Sequence, residues 1–205
     1  MDGVLFDSEP LHLVTLNAVL RKDGVTIGEA ENLELLGLPV EEVLRELIAR
    51  HGLSGSLAGY MDHYDDEIVR IFRDQLVPAP GLQDVLQMLR SIDLPLGLAS
   101  SSKPRWIEAG LEAIGLRQYF DAVVSVDDVA RGKPDPDIYL LAAAKLRIDP
   151  SRAVAVEDSP AGILAAKRAG MRVYAVRTRY THNLALEDAD RVVESLALLR
   201  VEDFS

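Results

Sequence analysis

The sequence predicts an α/β protein, a parallel sheet covered by helices on both faces in three layers, with an all-helical module inserted near its start. Three observations predict it. Beyond VPAPG at Val77 to Gly81, short apolar runs alternate with amphipathic segments of helical length. Those segments open on proline and close on glycine, the asymmetry expected of helix ends. Before Val77 the apolar residues keep helical spacing throughout.

The chain opens on MDGVLFDSEP, where a carboxylate and a glycine precede large apolar residues, a texture that usually follows a buried strand. In the helical part, Val40, Val43, Leu44, Leu47 and Ile48 form one stripe, bracketed by Pro39 in a first turn and Gly52 as a stop. Tyr60, Tyr64, Ile68, Ile71 and Phe72 form another, and both read as core. The strands that follow are LPLGLAS, DAVVSV, AVAVED and RVYAV, apolar runs without alternation, as strands buried on both faces require. Helices are predicted from Pro104 to Ile114 and from Pro160 to Ala169, each ahead of a glycine. The texture changes near Ser8 to Pro10 and near Val77 to Gly81. This predicts a core of residues 1–9 and 79–205, a helical module of residues 10–78, and two linkers that make a natural hinge.

Composition narrows the function classes. The 33 acidic groups outnumber the 22 basic ones, and a net charge of -11 repels nucleic-acid backbones and anionic membranes. Neither is expected as a partner. A small anionic substrate stays open, because a local pocket of N–H groups, lysine and metal overrides the mean surface charge. With no cysteine there is no thiol nucleophile and no disulfide. No apolar run approaches the ~18 residues of a spanning helix, so a cytoplasmic protein is expected, and a monomer.

In a doubly wound sheet, ligands bind beyond the carboxyl ends of the strands. There, LPLGLA is followed by Ser100, Ser101 and Ser102, DAVVSV by Asp127, Asp128 and the RGKPDPD stretch with Lys133, and AVAV by Glu157 and Asp158. A serine hydroxyl and free N–H groups cradle an oxyanion, Lys133 supplies a point charge, and Glu157 with Asp158 offers hard oxygen ligands for magnesium. Asp2 would complete the set. Singly, each has a blander explanation: Ser102 caps the helix at Pro104, GKPDPD is a turn, and the two acids cap the helix at Pro160. Jointly, those explanations do not place hydroxyl, lysine and carboxylates on one edge of one sheet.

DGVLFDSEP, LASSSK, GKPDPDIY and VEDSPAGILAAKRAGM resemble, in order, the four motifs of the haloacid dehalogenase superfamily. The inserted module resembles the cap of the group containing β-phosphoglucomutase and small sugar-phosphate phosphatases. The resemblance implies a Rossmann-like core and a Mg2+-dependent phosphoryl transfer to an aspartate, with a small phosphorylated metabolite as partner. It implies that Asp2 is the general acid/base and that its backbone carbonyl binds the metal, that Ser100 with Ser101 and Lys133 holds the phosphate, and that Glu157 and Asp158 are acidic metal ligands.

The departure is at the front. The family's nucleophile stands two residues before the match to Asp2, a position that precedes Met1, and side chains two apart on a strand point to the same side so that one carboxylate attacks while the other moves protons. The family's central first strand, between those matched by LPLGLA and AVAV, also has no candidate. The expectation is that the natural protein begins upstream of Met1 and that the chain as numbered turns over negligibly. A phosphatase acting on a small sugar or organic acid phosphate is the leading reading. The runner-up is a sugar phosphomutase. Mutases carry a cap arginine where Val40 stands, which favours the phosphatase, whereas His12 matches a histidine at the mutase hinge and is a weak substrate-side candidate. A third reading is an inactive phosphate-binding protein. His51, His63 and His182 are given no role.

Overall fold

The computed structural model describes residues 1–35, 37–179, 181 and 183–204. They form two compact units, one of Ser8–Leu76 and one of Met1–Asp7 with Val77–Ser205.

The first unit is helical: α1 (Glu9–Leu20), α2 (Glu29–Leu35), α3 (Val40–His51) and α4 (Leu57–Gln75). The α4 stripe is core throughout, and the α3 stripe is core at its centre, with Val40 and Ile48 half-buried at its ends. Val43, Leu44 and Leu47 are buried on α3, and Tyr60, Tyr64, Ile68, Ile71 and Phe72 are fully buried on α4. At ~1.5–3 kcal/mol each, the five on α4 alone contribute roughly 8–15 kcal/mol of gross apolar burial. Gly52 ends α3 in the left-handed region, φ 61°, with its N–H on the Ile48 carbonyl. Pro39 stands one position outside the first turn, as the N-cap. Polar groups close the unit: Asn17 donates to and accepts from the Ile27 backbone, at 3.0 and 2.8 Å, and the Tyr60 hydroxyl donates to Asp23 at 2.8 Å.

The second unit holds α5 (Leu82–Ser91), β1 (Gly97–Ala99), α6 (Pro104–Ala113), β2 (Ala122–Val124), α7 (Asp137–Leu146), β3 (Val154–Glu157), α8 (Pro160–Arg168), β4 (Arg172–Val176) and β5 (Arg191–Val193). All pairings are parallel, β1 with β2 and β3 with β4 with β5. The strand in LPLGLAS is shorter than its apolar run, since Pro95 has no N–H to give a ladder. β5 is an additional strand, three residues flanked by charges.

The strands fall into two sheets, β1–β2 and β3–β4–β5. Among the described residues no strand pairs with the free edge of β1 or of β3. An apolar cavity of about 520 Å³ is lined there by Leu98 and Ala99 of β1, Ala155 and Val156 of β3, Leu86 and Phe120. Among the described residues no helix is long and apolar enough to cross a membrane.

Candidate active site

Ser100 directly follows β1. Its N–H donates to the Val124 carbonyl at 3.0 Å, which extends the β1–β2 pairing by one residue and buries the side chain. Its hydroxyl oxygen accepts the Ser102 N–H at 3.1 Å, turning the chain toward α6, while Ser101 is exposed. Lys103 is the N-cap of α6 and makes no side-chain cap bond. Ser102 therefore does not cap that helix. Its hydroxyl donates to Asp2 Oδ2 at 2.8 Å, across a hundred residues of chain.

Asp2 is placed by a tight turn in which Gly3 N donates to the Phe6 carbonyl at 2.9 Å and Leu5 N to the Met1 carbonyl at 2.7 Å. Gly3 has φ 69°, and a Cβ there would stand 1.8 Å from Asp158 Oδ2. Only glycine permits both this turn and this approach.

Lys133 comes in from the loop before α7. Its Nζ donates to the Ala99 carbonyl at 3.2 Å and to Glu157 Oε1 at 2.5 Å, and it lies 5.0 Å from the Tyr139 ring centroid. The Tyr139 hydroxyl donates to the same Glu157 oxygen. Glu157 Oε2 accepts from Asp158 N at 3.2 Å and Ser159 Oγ at 3.3 Å. Ser159 also caps α8 by accepting Gly162 N at 3.1 Å, and a Cβ on Gly162 would stand 2.1 Å from the Glu157 carboxyl. The bare first turn of α8 thus gives Glu157 its place, at the helix end that favours negative charge.

Electrostatics separate the two neighbouring acids. Burial alone would raise Glu157, but the Lys133 ammonium, then the Met1 amino group and the hydrogen bonds from Lys133 and Tyr139 prevail and hold it below the usual carboxylate range. Asp158 is pushed up to about 7, by burial first and then by the Glu157 carboxylate, with Asp2 adding to the repulsion.

The structure brings Asp2, Ser100, Lys133, Glu157 and Asp158 together at the strand ends of the α/β unit. Among the described residues no group of three His, Cys, Asp or Glu side chains is placed to hold a metal ion. Asp158, a buried carboxyl crowded by Glu157 and Asp2, is the group whose chemistry suits a hard divalent cation. Glu157, expected beside it as a ligand, instead has its carboxylate engaged by Lys133, Tyr139, the Asp158 N–H and Ser159. Asp128 is a local cap, its Oδ2 accepting from Ser125 N and Oγ, both at 2.7 Å.

His12 belongs to the helical unit, where its ring stacks on Tyr64, accompanied by a bond to the Tyr64 hydroxyl, and meets Phe72 edge-on. His51 and His63 sit beside Glu31 and Glu67, and His182 lies outside the described residues. Tyr139, Gly3 and Gly162 are the site residues that sequence reasoning missed, while Ser102, weighed there as a helix cap, bonds Asp2 instead. Of these, only the glycines give a signal, each standing one to five residues from a candidate acid.

A family model described as haloacid dehalogenase-like hydrolase matches residues 1–176. The chain is 35% identical to the phosphorylated carbohydrates phosphatase of Thermotoga maritima over 204 residues, 99% of this chain and 93% of that protein. It is 33% identical to the validoxylamine A 7'-phosphate phosphatase of Streptomyces hygroscopicus over 206 residues, 98% of this chain and 93% of that protein. The crystal structure of CbbY from Rhodobacter sphaeroides in complex with phosphate is similar with a TM-score of 0.87 at 30% identity, over 97% of this chain and 93% of that one.

Proposed function

This chain belongs to the haloacid dehalogenase-like hydrolases, and on that premise we propose that it is a Mg2+-dependent phosphatase of small sugar or organic acid phosphates. One observation carries the reading: a buried hydroxyl, a lysine and an over-charged carboxylate pair converge at the strand ends, the groups needed to hold a phosphate ester beside a cation. The relatives named as phosphatases of phosphorylated carbohydrates and of validoxylamine A 7'-phosphate support the substrate class.

In this reading Ser100, whose hydroxyl hydrogen is left to donate, and Lys133, with one N–H left over, bind the phosphoryl oxygens. Asp2 protonates the leaving oxygen, then takes a proton from the water that cleaves an aspartyl phosphate. By the family resemblance the attacking carboxylate of that intermediate is the one two positions before the match to Asp2. The Ser102 hydroxyl holds Asp2 in place for both proton transfers. Magnesium, which the Asp158 carboxylate and the Asp2 backbone carbonyl would hold, would supply charge neutralisation of the phosphoryl group.

The test gives the full-length protein a panel of sugar and organic acid phosphates with and without Mg2+, following phosphate release and isomer formation together. Mg2+-dependent phosphate release is expected. Isomer formed faster than phosphate would replace the reading by a phosphomutase, and binding without turnover would replace it by a phosphate-binding protein.

A further inference from the structure

We propose that Tyr139 is a positioning residue for Lys133, its ring face under the ammonium and its hydroxyl on the carboxylate that pairs with that ammonium. Tyr139 lies in the first turn of α7, 7% exposed, with its ring 5.0 Å from Lys133 Nζ and its hydroxyl on Glu157 Oε1. A phenylalanine would fill the same volume. The hydroxyl therefore has a separate task, and it acts as a donor, since burial and then the Glu157 charge push its ionisation well above the ordinary tyrosine value.

The task follows from the mechanics of lysine. An ammonium on a flexible four-carbon stem has no geometry of its own and takes the position its partners impose. Here three partners impose it: the Ala99 carbonyl, Glu157 Oε1 and the Tyr139 ring. Glu157 is itself aimed by the Tyr139 hydroxyl, so one tyrosine fixes both the cation and its counter-charge. Two of the three Lys133 N–H donors are engaged, and the third has no partner among the described residues. The Ala99 carbonyl belongs to the residue before Ser100, so the ammonium is anchored one residue from the hydroxyl assigned to phosphate. Because Ser100 and Lys133 come to the proposed phosphate site from different segments of the chain, a small displacement of the ammonium separates the two donors.

This inference rests on the phosphatase reading for its kinetic consequence only, and its test has an arm that does not. Wild-type full-length protein, Tyr139→Phe and Tyr139→Leu are treated with an acetylating N-hydroxysuccinimide ester, and labelling of Lys133 is read by mass spectrometry against the exposed Lys167. In parallel, kcat, KM and the inhibition constant of inorganic phosphate are measured. Tyr139→Phe is expected to raise Lys133 labelling several-fold, to weaken phosphate inhibition about three- to tenfold, and to lower kcat/KM about tenfold. Tyr139→Leu, which removes the ring as well, should exceed it in labelling. Loss of folded protein alone would lower kcat but leave the inhibition constant unmoved. Unchanged Lys133 labelling in both variants would overturn the proposal. If the wild type hydrolyses no phosphate ester, the phosphatase reading falls while the labelling still decides the role of Tyr139.

Discussion

At the end of β3, Glu157 faces Lys133 and Tyr139 and is held below the usual carboxylate range, whereas its neighbour Asp158 faces Asp2 and Gly3 and is pushed up to about 7. Glu157 ends β3 and Asp158 is the first residue beyond it, where the chain bends toward α8, so two adjacent acids enter two environments. On the Glu157 side every charge has its partner inside the protein. On the Asp158 side negative charge is left in excess. The first arrangement holds a lysine, and the second is the one to which the proposed function assigns a cation.

The largest effect is expected from breaking the balanced side. Lys133→Ala removes an electrostatic partner of the phosphoryl group, a loss of about 10² or more in turnover. It also strands the Glu157 carboxylate, which should cost about 3–5 kcal/mol of stability in a denaturant titration. An unaltered rate and midpoint would reduce GKPDPD to a turn.

The two glycines sharpen the contrast, because each guards one acid. Gly162→Ala drives a Cβ into Glu157 and should cost about 1–3 kcal/mol, lowering turnover through Lys133 while leaving Mg2+ dependence intact. Gly3→Ala drives one into Asp158 in a backbone conformation that disfavours side chains, and should instead raise the Mg2+ concentration needed for half-maximal activity. The same loss of Mg2+ affinity from both variants would erase the distinction between the sides.

A smaller effect is the pH dependence of stability without metal. The folded value of Asp158, about 7, lies above the ~3.9 of an unfolded aspartate, so the native state holds the extra proton between those values and stability falls as pH rises through that window. Glu157 has the opposite sign: its depressed value stabilises the fold above the unfolded carboxylate range, and that contribution is lost as pH falls through its folded value. Asp158→Asn should abolish the decline approaching neutrality and leave the acid limb in place, as read by Tm against pH in the presence of a chelator.

The contrast also explains what could be read in the sequence. The stripes of α3 and α4 were legible because helical burial repeats in the chain, and Val43, Leu44, Leu47, Tyr60, Tyr64, Ile68, Ile71 and Phe72 are all buried. The convergence of Ser100, Lys133 and Asp158 was legible because parallel strands present their ends on one edge. The bond from Ser102 to Asp2 was not, since nothing local tells a helix-capping serine from one that reaches a carboxylate a hundred residues away. Tyr139 was hidden in an apolar helical run, where a hydroxyl reads as a detail of the core. β5 escaped because three residues between charges carry too little periodicity.

The most direct test of the central claim is the thermal response of the full-length protein to Mg2+, compared between wild type and Asp158→Asn. A ligand that binds only the folded state raises Tm in proportion to its occupancy. The wild type should gain stability with added Mg2+, and Asp158→Asn should start more stable in chelator and gain little or nothing. An equal rise in both proteins would contradict the account, because the excess charge at Asp158 would then have no part in holding a cation.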